Sequence, residues 1–124
     1  MRPEARDPGY LWDMRRAARE LLGFLQGKTL EDLSSDRMLE LTVEKELEII
    51  GELARRISDE FKLAHPEIPW SDMIALRNVL VHRYEDVKLE VLWNETLPKL
   101  NELDTELTLI IDEALTEQGL TDHP

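Results

Sequence analysis

Residues 77 to 84 read RNVLVHRY, and four of these eight side chains can take part in chemistry. Arg77 is a fixed cation whose planar fork can hold two phosphate oxygens at once. Five residues later stands His82, of the side-chain type that exchanges protons near neutrality. Together they are the minimum equipment for reaction at a phosphodiester. Cleavage of RNA by its own 2′-hydroxyl needs a base for that proton, an acid for the departing 5′-oxygen and a cation for the charged phosphorane. Asn78 lies four residues before His82, close enough on a helix for its amide to orient the imidazole or a phosphate. Tyr84 adds a hydroxyl group at the end of the octet.

Spacing alone does not assemble this site. On a regular helix, Arg77 and His82 point about 140° apart. Convergence requires the helix to end or distort near His82, or a second copy of the chain to supply the missing partner. In a symmetric pair, two histidines facing one cleft disfavour double protonation. One neutral and one charged ring then provide base and acid from a single residue type, with no metal required. Taken without that partner, the same residues read as a surface cation, a satisfied rim histidine and a partly buried aromatic. Glu46 and Glu52 read as solvent-facing carboxylates.

The elements that must position the octet follow from apolar spacing. Leu11, Met14, Ala18, Leu21 and Leu25 recur in steps of three and four, which predicts an amphipathic helix. Asp7 can cap it, Pro8 suits its first turn and Gly27 its end. A longer helix is expected through Leu39, Val43, Leu47, Ile50, Ala54, Ile57 and Phe61, with Ser34 or Ser35 as its cap. The two prolines of HPEIPW, residues 65 to 70, force a loop. Ser71 and Asp72 can open a third helix carrying the octet. A fourth is expected from about Lys88 to Leu115, bent or opened at Pro98. The pattern predicts an all-α, up-and-down bundle of four to five helices over residues 1–118, then a polar tail over residues 119–124. Tyr10, Trp12, Leu41, Ile49 and Leu109 lie off the main apolar stripes, which favours self-association as a two-fold dimer.

Composition sets the limits. The chain has 124 residues and no cysteine, so disulfides and thiolate metal sites are excluded. His65, His82 and His123 are too scattered to suggest a metal site, and no cofactor motif is present. No apolar run approaches the roughly 20 residues of a membrane span, and MRPEARDPGY lacks the apolar stretch of a signal peptide, so a cytoplasmic protein is expected. The formal charge of −12 argues against a general nucleic-acid binder. The cations are nevertheless grouped: Arg15, Arg16 and Arg19; Arg55 and Arg56; Arg77, His82, Arg83 and Lys88. Folding could bring these groups together into a local patch.

The stretches IGELARRIS, HPEIPW and RNVLVHRY, followed by a Trp four residues before LPKL, resemble the HepT-like toxins of the HEPN ribonuclease superfamily. The resemblance runs from about Leu39 to Leu100. It implies a HEPN bundle that dimerises so that both copies of the motif line one cleft. It further implies that Arg77 and His82 are the catalytic pair, that Asn78 is the polar residue within the motif, and that the substrate is RNA. Tyr84 matches the tyrosine to which an MNT-type nucleotidyltransferase, the antitoxin of the pair, transfers AMP from ATP. Adenylylation would place bulk and negative charge beside the cleft. Glu85 and Asp86, just after the tyrosine, depart from the pattern with two carboxylates that repel phosphate. The rival reading is a non-catalytic helical bundle acting as partner or substrate-binding subunit of a nucleotidyltransferase.

Overall fold

The computed structural model describes residues 6–117, so the polar tail lies outside the described residues. The chain is all-α, with no strand among those residues. Four main helices carry the core: α1 (Asp7–Leu25), α3 (Arg37–Arg56), α5 (Trp70–His82) and α7 (Leu100–Glu117), with short helices α2 (Leu30–Ser35), α4 (Asp59–Ala64) and α6 (Leu89–Val91) between them. Neighbours run antiparallel. Asp7 at the start of α1 meets Ser58 just past the end of α3, and Arg15 and Arg19 of α1 meet Thr108 and Asp104 of α7 in reverse order. The periodic residues do fill the interior: Leu11, Met14, Ala18 and Leu21 of α1 interlock with Val43, Leu47, Ile50 and Ala54 of α3 and with Leu107 of α7. No described helix is long and apolar enough to cross a membrane.

Helix ends depart from expectation where distant residues intervene. Asp7 does not cap α1. It is buried, and its carboxylate accepts the Ser58 backbone N–H at 3.0 Å and the Ser58 hydroxyl at 2.6 Å. Those bonds hold Ser58 extended, and its hydroxyl oxygen accepts the Phe61 N–H to open α4. The long helix expected through Phe61 is therefore cut at Arg56. Ser34 and Ser35 do not cap α3 either: they belong to α2, which is opened by a reciprocal Thr29–Asp32 capping box. The cap of α3 is Asp36, which accepts from the N–H groups of Met38 and Leu39. Gly27 follows α1 with φ of +77°, a backbone conformation open to glycine.

The HPEIPW loop is braced by its own aromatics. The Trp70 indole N–H donates to the His65 carbonyl at 2.9 Å, and Phe61 lies against both rings. The loop delivers α5 at Trp70, one residue before the expected Ser71 and Asp72, with Pro69 at the cap position. Pro98 acts as its missing N–H dictates. Before it, Leu92–Thr96 widens into a π turn, and Leu97–Lys99 tightens into a 3-10 turn, so α6 and α7 join through a distorted passage.

One core-facing carboxylate breaks the expected pattern. Glu46 is buried, not solvent-facing, and its Oε2 has no hydrogen-bond partner. Burial first, then the nearby charge of Glu20, push the Glu46 pKa up, while Arg16 opposes them. A raised carboxylate pKa in the folded state favours folding below the unfolded value, and that contribution is lost as pH rises through the folded value. Glu46→Gln keeps the shape and removes the charge. The substitution is expected to raise Tm above pH 7, with the gain disappearing near pH 4, in thermal unfolding followed across that range. A lower Tm at neutral pH would show that the carboxylate stabilises the fold.

Candidate active site

The octet occupies the second half of α5 and the turn beyond it. α5 packs chiefly on α3, and at Gly51 the two helices are in direct contact. A Cβ at that position would overlap the Arg77 Cβ and come within 2.6 Å of the Met73 carbonyl oxygen. Glycine therefore lets the backbone of α3 touch α5 directly beneath Arg77.

The contact aims the guanidinium at the next residue of α3. Arg77 Nε stands 3.6 Å from Glu52 Oε1, with its side chain 24% exposed. Its Nη1 donates to Asn78 Oδ1 at 3.0 Å, so two polar residues of the octet are tied to each other. Glu52 also accepts both Nε and Nη2 of Arg55, at 2.9 and 2.8 Å, and Nε of Arg56 at 3.2 Å. Far from being a free solvent-facing carboxylate, Glu52 is a hub for three arginines. The hydrogen bond from Arg55 foremost, then that from Arg56 and the charges of Arg55 and Arg77, hold its pKa down to about 2 against desolvation. It stays ionised at any pH where RNA chemistry is studied.

His82 is the last residue of α5 and is exposed. It makes no hydrogen bond or ion pair among the described residues, and in particular none with Arg77 or Asn78. α5 stays regular up to His82, so the two groups diverge within one protomer, as the spacing predicts. Arg83 then leaves the helical region with φ of −147°, and a 3-10 turn, Tyr84–Asp86, follows. Tyr84 opens that turn and is 58% exposed. Asp86 bends back toward Arg83, with Oδ2 3.9 Å from Nε.

Folding unites only some of the cation groups. Arg55 and Arg56 join Arg77 around Glu52, whereas Arg15 and Arg19 are engaged by α7. Arg15 is buried, lies 4.3 Å from the centre of the Trp12 ring and reaches Thr108, while Arg19 pairs with Asp104 at 2.8 Å. Sequence reading missed Gly51 and took Glu52 for a solvent-facing carboxylate. Both were signalled: a glycine inside a strong helical pattern marks a close backbone approach, and a glutamate three and four residues ahead of two arginines marks an ion-pair cluster.

The described fold is an all-α bundle with Arg77, Asn78 and His82 in the second half of one helix and Tyr84 in the turn just beyond it. The HepT-like ribonuclease family profile matches residues 14–110, and the chain belongs to that family. A protein of Thermococcus cleftensis described as a probable ribonuclease HepT is 38% identical over 94 residues, covering 73% of this chain and 86% of its own. A protein of Methanocaldococcus jannaschii with a provisional RNase assignment is 32% identical over 94 residues, with the same two coverages of 73% and 86%. Another such protein, from Caldanaerobacter subterraneus, is 28% identical over 104 residues, covering 84% of this chain and 93% of its own. No solved structure gives a significant match.

The Gly51 contact gives a direct test of how tightly the site is built. Gly51→Ala must push α5 off α3 or shift Arg77, and overpacking of this kind costs about 1–3 kcal/mol. Urea denaturation should show that loss. Wild-type stability in the variant would mean that the two helices part freely and that Arg77 is not held by the contact.

Proposed function

We propose that the protein is a metal-independent endoribonuclease, the toxin of a toxin–antitoxin pair, that works as a two-fold dimer. The observation that carries this reading is the divided geometry of the octet. Arg77 is fixed in the α3–α5 seam by Glu52, while His82 stands free at the exposed end of the same helix. The two groups diverge, so a second copy must complete the site. α5 is suited to that pairing because its apolar residues run around it. Met73, Ile74, Leu76 and Val79 are only partly buried, and Val81 is 41% exposed.

In the shared cleft, one neutral His82 takes the proton of the RNA 2′-hydroxyl. The oxygen attacks the adjacent phosphorus, the bond to the 5′-oxygen breaks, and the protonated His82 of the other copy gives its proton to that oxygen. Arg77 meets the charge that develops on the phosphorane, and Asn78, bonded to Arg77, holds it in register. The products are a 2′,3′-cyclic phosphate and a 5′-hydroxyl.

Regulation falls on Tyr84. Its exposure leaves the phenol open to an MNT-type nucleotidyltransferase. The phenol oxygen attacks the α-phosphorus of ATP, pyrophosphate departs, and the phenolic proton passes to a base of the partner enzyme. The attached AMP carries a phosphodiester charge two residues from His82, which blocks the path of RNA by bulk and like charge.

Purified protein in chelator should cut cellular RNA and leave cyclic-phosphate ends. His82→Ala should lower the rate by about 10²–10⁴, the usual worth of a positioned acid or base. Cleavage that survives the substitution would leave a non-catalytic nucleotidyltransferase partner as the better reading. With a cognate nucleotidyltransferase, ATP and Mg²⁺, the chain should gain mass in units of AMP, and Tyr84→Phe should abolish the gain. Modification mapped to Tyr10 would refute the regulatory assignment.

A further inference from the structure

Glu52 holds one negative charge, yet three guanidinium groups converge on it. Helix ends favour cations, because the last turn carries partial negative charge, and this accounts for Arg55 and Arg56 as residues of α3 alone. It does not account for Arg77, which arrives from α5. Two positive charges are left in excess on a chain whose formal charge is −12. The three cations repel one another across a single carboxylate, and a polyanion laid over them would relieve that repulsion. Arg55 and Arg56 keep side chains 55% and 52% exposed, and Arg56 binds Glu52 through Nε alone, so its terminal amines remain open to solvent. Lys62 reaches the same corner, donating from Nζ to the Arg55 carbonyl at 3.3 Å.

We propose that Arg55 and Arg56, arrayed by Glu52, form a second phosphate-binding subsite that holds the RNA strand beyond the phosphate at Arg77. The proposal rests on the ribonuclease reading and names its substrate as a strand of several nucleotides. RNA then follows the α3–α5 seam from Arg55 and Arg56, past Arg77 and Asn78, to His82. Glu52 is a positioning residue: it touches no substrate, but holds the three arginines together.

The test uses a fluorescein-labelled 2′-O-methyl oligoribonucleotide of about 12 nucleotides, which binds but lacks the attacking hydroxyl. Arg55→Gln with Arg56→Gln should weaken binding about tenfold at low salt and reduce the slope of log K against log salt by about 1.4, since each contact on a single strand contributes about 0.7. Arg55→Lys with Arg56→Lys should restore the slope, which a merely structural role would not do. Lys28→Gln with Lys99→Gln removes the same charge elsewhere and should leave the slope unchanged. Equal slopes for the wild type and the glutamine pair, with cleavage still dependent on His82, would overturn the subsite and leave the ribonuclease standing. If the glutamine pair keeps RNA affinity but fails to bind the nucleotidyltransferase, the patch belongs to that protein and the RNA subsite is likewise overturned. No binding by the wild type, with cleavage unaffected by His82→Ala, would remove both.

Discussion

The site depends on the direct touch of two helices at Gly51. A glycine in a helix interior costs about 1 kcal/mol relative to alanine. Here it permits α3 and α5 to meet with the Arg77 Cβ against the backbone of α3. That proximity shortens the span Arg77 must cross, so its guanidinium reaches Glu52, the very next residue, while remaining partly in solvent. Separate the helices by the width of a methyl group and the arginine loses its anchor. The flexible four-bond side chain would then cost more entropy to hold in a productive pose. A packing feature and a chemical one are in this way the same feature.

The acidity of the chain looks different once charges are placed. Beyond a Debye length of about 8 Å at physiological salt, surface charges are largely screened, so a phosphate at Arg77 responds to its near neighbours and not to the total of −12. Those neighbours are Arg55, Arg56 and Asn78, with Glu52 neutralising one arginine. An acidic remainder disfavours indiscriminate binding of nucleic acid. Under the proposed function, local affinity with global repulsion suits an activity that must be held in check.

Helix existence was legible in the sequence because apolar spacing reports burial, and the same residues that set the period in α1 and α3 fill the core. Helix ends were less so. The break at Ser58 is held by Asp7 from 51 residues away, beyond the reach of local pattern, although Ser58 with Asp59 and Glu60 carries a local helix-start signature that the apolar period masked. Pro98 was readable because its effect is covalent and local. The octet was legible by residue type; the end of its helix at His82 was not, since Arg83 to Asp86 hold no glycine or proline. Glu52 read as solvent-facing, since a glutamate near two arginines on a helix has the same signature whether it is a solvated ion pair or a hub. Only the arrival of Arg77 from another helix separates the two, and that is tertiary information.

The five-residue spacing in the octet explains why the site is split. With a spacing of four, the second group would lie at position 81, only about 40° round the helix from the first. The spacing of five turns His82 about 140° away and leaves it at the last residue of α5, where no following helical turn covers it. Anchoring and exposure thus go to different residues: Arg77 is fixed where packing is tight, and His82 stands where a second surface can close over it. Under the proposed dimer, the surface that closes over one copy's histidine is the corresponding face of the other. Neither chain then encloses a complete site by itself.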